Sequence, residues 1–421
     1  MNILLIGSSF PRSESDDQVP WLREAARRVQ DAGHTVEVLA PAWHGQKSHV
    51  VDGIPVHRFR YGPAVWEMLT GEEGAPGKVR RNPFLVLLAG VYLWCGFWAV
   101  VKLLSGRKIN QAIENKKKAR GNAPVDNSPS RRRGQRVGPY DLIEVHWPFP
   151  HALMAFPAVI AGVPLVYHYH SAEGKLASQN FLFKILFAWS LGWARAHIAN
   201  SSYTAALIKK VRPQAVVAVI PYGSPIKISE APVRNNLPRR KILFVGRHIQ
   251  RKGLPYLIAA MKLLPPDYTL TIVGEGDETP ALKALAAGDA RIAFSGRLSG
   301  AALSQAYLSH DFFVLPAIID NRGDTEGLGV VLIEAVAAGL PLIASNVGGI
   351  PDVILHERTG LLVPQKDPQA LAEAIQRLSR DEAFCQQLTA AATVHTRESF
   401  SWEAVTQATL EVYARTAEKK Q

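Results

Sequence analysis

The chain has 421 residues, 48 Lys and Arg against 36 Asp and Glu, 47% hydrophobic residues and two cysteines, Cys95 and Cys385. That length predicts two or three domains, each able to bury a core without a staple; two lone cysteines and no Cys/His cluster exclude a disulfide scaffold and a structural zinc. The net charge of +12 is localised: residues 78–136 hold 14 Lys and Arg and two acids, Glu114 and Asp126, and this one segment carries the whole excess, the pattern of an anionic partner surface or a disordered tether.

In chain order, residues 2–7 predict a short buried strand and a loop. Residues 18–32 predict a helix on the spacing of Val19, Leu22, Ala26 and Val29. Gly33 ends it, and 35–40 and 54–61 are further strands. The opening MNILLIGSSFPRSESDD lacks the basic segment and the long apolar run of a signal peptide, so a cytoplasmic body is expected. Residues 83–104 interrupt this order. No charge falls between Pro83 and Val101, a run long enough to span a bilayer. Residues 105–138, with Lys116–Lys118 and Arg131–Arg133 among Gly, Pro, Ser and Asn, read as disordered. Strands are expected again at 140–145, 164–170, 197–201 and 216–220, with an apolar helix at 181–196.

A linker bearing Pro225, Pro232 and Pro238 follows, and the alternation restarts. Strands are expected at 241–245, 268–273, 291–294, 312–315 and 342–344. Helices are expected at 254–264, 279–286, 300–309, 328–338, 368–378 and 405–417. The reading is two successive parallel α/β domains, 1–224 with an insertion at 78–138, and 225–398, with a final helix in 399–421. In such sheets ligands bind beyond the carboxyl ends of the strands.

The conspicuous residues fall there. Asp324-Thr325-Glu326-Gly327-Leu328-Gly329 leads into a helix carrying Glu334. Gly327 and Gly329 allow close backbone approach, and the free amides of the helix start suit a diphosphate. Glu334, apolar on both sides, has the two oxygens needed for a ribose diol; the competing reading is a surface Glu paired with a Lys. Val245-Gly246-Arg247 and Arg251-Lys252-Gly253 end a strand and start a helix with cations between. Such cations stabilise the charge that builds on a departing phosphate. Gly274 and Gly276 in Val273-Gly274-Glu275-Gly276, and Arg297 in Phe294-Ser295-Gly296-Arg297, sit where backbone atoms read a nucleobase edge; two ordinary βα turns are the alternative.

Together with Ser345-Asn346-Val347-Gly348-Gly349-Ile350-Pro351, these pieces resemble the family 4 glycosyltransferases of the GT-B fold. The spacing of Glu326 and Glu334 matches that family's paired glutamates. The resemblance is dense over 241–364, looser before it, and absent over 62–138. It implies two Rossmann-like doubly wound sheets facing a cleft, with a C-terminal helix crossing back. It implies retention of configuration, a nucleoside-diphosphate sugar linked to UDP or GDP, and no metal or other cofactor. By residue, it implies that Arg247 and Lys252 hold the diphosphate and that the amides of Leu328 and Gly329 add to this grip. Glu334 then takes the ribose, and Glu326 the sugar hydroxyls. His170, closing Pro164-Leu165-Val166-Tyr167-His168-Tyr169-His170, matches the family's strand-end histidine and would face the transferred sugar; His168 and His146 are the alternatives from the residues alone. The loop 7–17 lacks the family's double glycine.

The insertion carries the question of the acceptor. One reading is a membrane-associated helix, with the basic tract against anionic headgroups. A single span would separate strands 2–61 and 140–223 of one sheet, so a re-entrant or interfacial hairpin is preferred. The other reading is a buried helix beside a basic loop. The first implies a lipid-linked or glycan acceptor and a peripheral location on the inner face of the cell membrane. A soluble storage synthase or epimerase is the competing enzyme. A nucleic-acid binder is disfavoured, because the basic tract has no interleaved aromatics.

Overall fold

The computed structural model describes residues 1–14, 16, 19–69, 84–119, 139–171, 181–223 and 239–418. The chain divides into two compact units. The first holds Met1–Ile198, Ile208–Ala218 and the residues from Ala408 onward; the second holds Ala199–Leu207 and Val219–Gln407. The linker 225–238 and the arginines 131–133 lie outside the described residues.

In the first unit eight strands form one sheet. They are β1 (Asn2–Ile6), β2 (Thr35–Pro41), β3 (His49–Val51), β4 (Ile54–Phe59), β5 (Leu142–His146), β6 (Leu165–Tyr169), β7 (Ala196–Ala199) and β8 (Val217–Val219). Their order is β3-β4-β2-β1-β5-β6-β7-β8. β1 pairs in parallel with β2 and β5, which is why its residues form an unbroken apolar run rather than an alternation. The following helix, Pro20–Asp31, buries Leu22, Ala26 and Val29. Pro20 opens it at a position where no N–H is needed, and Gly33 at φ 88° closes it. β3 pairs antiparallel with β4 through Asp52-Gly53, both at positive φ, the two-residue turn that an Asp-Gly pair favours.

In the second unit six strands are β9 (Lys241–Val245), β10 (Thr269–Val273), β11 (Ile292–Gly296), β12 (Phe312–Leu315), β13 (Leu342–Ser345) and β14 (Leu361–Val363). Their order is β11-β10-β9-β12-β13-β14, every pair parallel. The chain winds one way from β9 and then the other, so the crevice of the sheet opens between β9 and β12. Phe244, Ile272, Phe312, Phe313, Leu332 and Ile375 lie in its continuous core.

The insertion departs from expectation. A single helix, Phe84–Ala119, runs through the expected boundary at 104; at about 1.5 Å per residue it is roughly 54 Å long. It replaces both the hairpin and the first part of the stretch read as disordered. The reason is local: between 105 and 119 there is one glycine and no proline, and the Lys, Arg, Gln, Glu and Ala there favour helix. One face packs onto the first unit through Leu85, Leu88, Tyr92, Val100 and Leu104. Tyr92 Oη lies 3.0 Å from His151 Nε2, and a Cβ on Gly96 would meet Met154 Sδ at 2.9 Å. The opposite face, with Leu87, Val91, Trp94 and Trp98, is exposed. The helix is therefore neither a buried core element nor free of the fold.

β3, β14, the helices Ser202–Val211 and Glu382–Phe400, and the short helices Ala64–Trp66, Pro148–His151, Phe156–Ile160, Gln250–Lys252 and Ile350–Val353 were not anticipated. The expected strands and the other expected helices fall within a few residues of their places.

Gly253 marks the tightest approach beside the crevice. It adopts φ +66°, and a Cβ there would stand 1.8 Å from the Pro316 carbonyl oxygen. Gly288, at φ +86°, has nothing within 4 Å. Gly288→Ala is expected to cost about 1 kcal/mol, the left-handed strain alone, and Gly253→Ala roughly 3 kcal/mol or more, because backbone must move. Denaturant titration of both variants checks this; equal midpoints would refute the close contact.

Candidate functional site

Two loops leave the switch point of the second unit. From β9 the chain passes Gly246 and Arg247 to the turn Gln250–Lys252, whose last residue is buried. From β12 it passes an Asp320–Asp324 turn to Thr325 and Glu326, both buried. Lys252 Nζ stands 2.5 Å from Glu326 Oε2. Arg251 Nη1 donates to the Thr325 carbonyl at 3.0 Å and to Glu326 Oε2 at 3.3 Å.

The electrostatics follow from this cluster. Burial alone would raise the Glu326 pKa; Lys252 and then Arg251 overcome it and hold it at about 2. Burial lowers the Lys252 pKa, and repulsion from Arg251 and Arg247 adds to it, while Glu326 pulls the other way. Arg247 is within the same field: burial and Arg251 lower its pKa, and Glu326 and Asp324 raise it. Three cations thus share two acids, leaving positive charge at the loops.

Beyond Glu326 the backbone turns at Gly329, φ 89°, into the helix Val330–Ala337, which has no side-chain cap. Its first N–H groups are left for an outside acceptor. The loop after β13 braces this turn. Gly349 N donates to the Glu326 carbonyl at 3.0 Å, and a Cβ on Gly349 would stand 2.1 Å from the Gly327 carbonyl oxygen. One turn into the helix, Glu334 accepts from Tyr307 Oη at 2.6 Å. Burial raises its pKa, against the pull of Tyr307 and Lys252.

Arg247, Lys252, Glu326, Gly327, Leu328, Gly329 and Glu334 therefore belong to loops and a helix start at one switch point. The other glycines have a packing reason. A Cβ on Gly274 would lie 2.0 Å from the Gly246 carbonyl oxygen, and one on Gly276 2.4 Å from that of His248; these residues let two loops run against each other. Arg297 follows the edge strand β11, is exposed, and makes no ion pair among the described residues. Two participants were missed. Arg251 stood in the motif beside Lys252 but had no assigned role, and Tyr307, on the helix Gly300–Ser309, carries no signal in the sequence as the partner of Glu334.

His170 lies in the first unit, just past β6. Parallel pairing of β5 with β6 sets His146 opposite His168, so Glu144, His146, His168 and His170 share one face of the sheet. His146 Nδ1 is 3.1 Å from His170 Nε2, and His168 Nδ1 is 2.9 Å from Glu144 Oε1. The three imidazoles stack at 4.8–5.3 Å between centroids, and Trp21 and Trp147 flank His170 at 4.8 and 4.6 Å. Burial, then His168 and His146, hold the His170 pKa well below the usual histidine value. The three candidates of the sequence are one array, with His170 at its outer end. The described part of the loop 7–17 is tied down by Arg58, which donates to the Phe10 and Pro11 carbonyls at 2.8 Å.

Comparison with known proteins places the chain beside glycosyltransferases. Residues 239–381 match a family described as Glycosyl transferases group 1, and 104–226 one described as Glycosyltransferase Family 4. An uncharacterized glycosyltransferase of Methanocaldococcus jannaschii is 34% identical over 179 residues, 41% of this chain and 44% of that protein. The match thus spans less than half of that relative's length. A phosphatidyl-myo-inositol mannosyltransferase of Mycobacterium leprae is 29% identical over 297 residues, 68% of this chain and 76% of that protein. The structure of Anabaena Alr3699/HepE in complex with UDP covers 99% of this chain and 100% of its own at a TM-score of 0.66 and 18% identity. The apolar run 83–104 lies almost wholly outside both matched regions.

Lys252→Met should change the acid response. Glu326 is depressed in the fold, so its contribution to stability is present above its ordinary pKa near 4.5 and is lost as pH falls toward about 2. Without Lys252 the carboxyl titrates higher, so stability measured by denaturant between pH 4.5 and 2 is expected to fall less steeply than in the parent. Identical slopes would show that Lys252 does not hold the carboxylate.

Proposed function

Because this chain belongs to the family 4 glycosyltransferases, with the GT-B fold, we propose that it transfers a sugar, with retention of configuration, from a nucleoside-diphosphate sugar to a lipid-linked or glycan acceptor at a membrane surface. The observation that carries the reading is the convergence of Arg247, Arg251 and Lys252 with an uncapped helix start at the β9–β12 crevice. Fixed cations and free amides together suit the two phosphates of a sugar nucleotide better than a single anion. The Anabaena protein was solved with UDP, which favours a uridine or similar nucleotide.

In this reading the diphosphate lies between Arg247 and Lys252 on one side and the amides of Leu328 and Gly329 on the other. Lys252 has three donors, so it can keep Glu326 and still give a proton bond to phosphate. As the bond from the anomeric carbon to the diphosphate oxygen breaks, charge builds on that oxygen where the cations already stand, with no reorganisation. The acceptor hydroxyl attacks from the same face and its proton passes to the departing phosphate oxygen, so no side chain need be the base. Glu326 meets the hydroxyls of the sugar, Glu334 the ribose diol, and His170 the transferred sugar. The chemistry as written uses no metal ion and no cofactor beyond the donor.

The acceptor follows from the long helix. Leu87, Val91, Trp94 and Trp98 form a bare apolar stripe, with Trp94 and Trp98 at 5.8 Å. Ile160 and Trp189, on other helices of the same unit, are exposed as well. Large aromatics on an unpartnered face suit the headgroup level of a bilayer, and the basic segment 78–136 suits anionic lipid at about 1 kcal/mol per cation. The protein then sits peripherally on the cytoplasmic face. The Mycobacterium leprae relative is named for transfer to phosphatidyl-myo-inositol, which favours a lipid acceptor.

Lys252→Ala and Glu334→Ala are each expected to lower transfer by about 100-fold or more while circular dichroism stays native, with slow hydrolysis of UDP- and GDP-sugars identifying the donor. Normal turnover in both variants would remove this site. Trp94→Ser with Trp98→Ser should abolish co-sedimentation with anionic vesicles and leave donor hydrolysis intact. Undiminished sedimentation at low salt would remove the stripe from the membrane reading.

A further inference from the structure

Glu334 stands on the helix Val330–Ala337 among the buried residues Leu332, Ile333, Ala335 and Val336. Apolar neighbours do not fix the plane of a carboxylate, because a terminal sp3–sp2 torsion is broad. One polar contact does. The Tyr307 hydroxyl, from the helix Gly300–Ser309, donates to Glu334 Oε2 at 2.6 Å. Tyr307 is 0% exposed, and its ring leans on Phe313 of β12 at 5.8 Å between centroids. The donor is therefore anchored to the strand whose outgoing loop carries Glu326. Glu334 Oε1, by contrast, has no hydrogen-bond partner among the described residues and is not sealed from solvent.

We propose that Tyr307 is a positioning residue that fixes the Glu334 carboxylate for a ribose diol and so sets the preference of the site for ribonucleotides over deoxyribonucleotides. This rests on the reading of Glu334 as the group that meets the ribose. An ionised carboxylate offers about four lone-pair sites on its two oxygens. Tyr307 takes one on Oε2. The rest of Oε2 and the open Oε1 remain for two neighbouring hydroxyls. A site rejects a ligand that lacks a hydroxyl when the acceptor meant for it is fixed and left unpaired. A carboxylate free to swing loses that discrimination, since it can turn to water or to the one hydroxyl left.

The same contact governs ionisation. Burial raises the Glu334 pKa, and Tyr307 first, then Lys252, pull it down. These two are the titratable groups acting on Glu334 among the described residues, Tyr307 from the helix Gly300–Ser309 and Lys252 from the loop after β9. Burial, then Glu334, hold the Tyr307 hydroxyl well above the usual tyrosine value, so it stays a donor. Removing that hydroxyl takes away the larger pull, and the Glu334 pKa rises further. The neutral carboxyl then persists to higher pH, and a neutral acceptor binds a hydroxyl about half as strongly as an ionised one. Loss of the hydroxyl is thus expected to weaken ribose recognition most on the acid side and to spare it on the alkaline side.

The test titrates the full chain calorimetrically with UDP, GDP and the 2′-deoxy and 3′-deoxy forms of each. The nucleotide that binds the parent more tightly is carried into Tyr307→Phe and Glu334→Ala. In the parent the ribonucleotide is expected to bind about tenfold tighter than either deoxy form. Tyr307→Phe keeps the packed ring and should melt within about 5 °C of the parent. Its preference should fall to about threefold or less near pH 6 and recover most of its size near pH 8.5. An undiminished preference in Tyr307→Phe, with the preference gone in Glu334→Ala, would overturn the proposal and leave the ribose reading standing. A preference lost equally at both pH values in Tyr307→Phe would reduce the tyrosine to packing and also overturn it. A preference intact in Glu334→Ala would sink the ribose reading itself, and this proposal with it.

Discussion

The buried ion pair between Lys252 and Glu326 is the contact on which the site in the second unit depends. It joins the loop leaving β9 to the loop leaving β12, and these strands flank the point where the winding of the sheet reverses. Two charges taken out of water cost more than they return unless each is held closely. Arg251, bound to Glu326 and to the Thr325 carbonyl, and the tight Gly253 and Gly349 turns supply that hold. The pair is thus poor evidence for stability as such and good evidence for a place where charge is kept ready. Lys252 is a cation already desolvated.

The first unit answers a different demand with the same materials. There the buried carboxylate is Glu144, and its partners are imidazoles and a tyrosine instead of lysine and arginine. The contrast matters because imidazole can be neutral and still hold one nitrogen as donor and the other as acceptor.

The long helix Phe84–Ala119 is added to this scheme without disturbing it. Its inner face packs against the first unit, with Gly96 against the end of the Met154 side chain. Its outer face is apolar and bare, which water disfavours and a bilayer surface does not. An element that is apolar on both sides, packed on one and open on the other, lies between a core helix and a membrane span. Hydropathy alone does not distinguish these cases, because it averages over faces that have different neighbours.

The order of strands and helices was legible in the chain because buried parallel strands are continuous apolar runs and their helices carry a 3.6-residue period, both local properties. The loops with Arg247, Lys252, Glu326 and Glu334 were legible for the same reason: each follows a strand and starts a helix. What was not legible had a nonlocal cause. The Asp52-Gly53 turn was plain, yet the short β3 it makes depends on β4 for its partner. The continuation of the helix to Ala119 was hidden by charge, which suits a solvated helix as well as a disordered tether. That Gly274 and Gly276 run against a neighbouring loop, that Tyr307 meets Glu334, that His146 meets His170 and that Tyr413 meets Glu144 are set by register and by contacts 24 to more than 250 residues apart. The sequence by itself determined which segments carry chemistry; only the tertiary structure decided which of those groups touch, because hydrogen bonds and ion pairs act over a few ångströms and adjacency in the chain does not measure them.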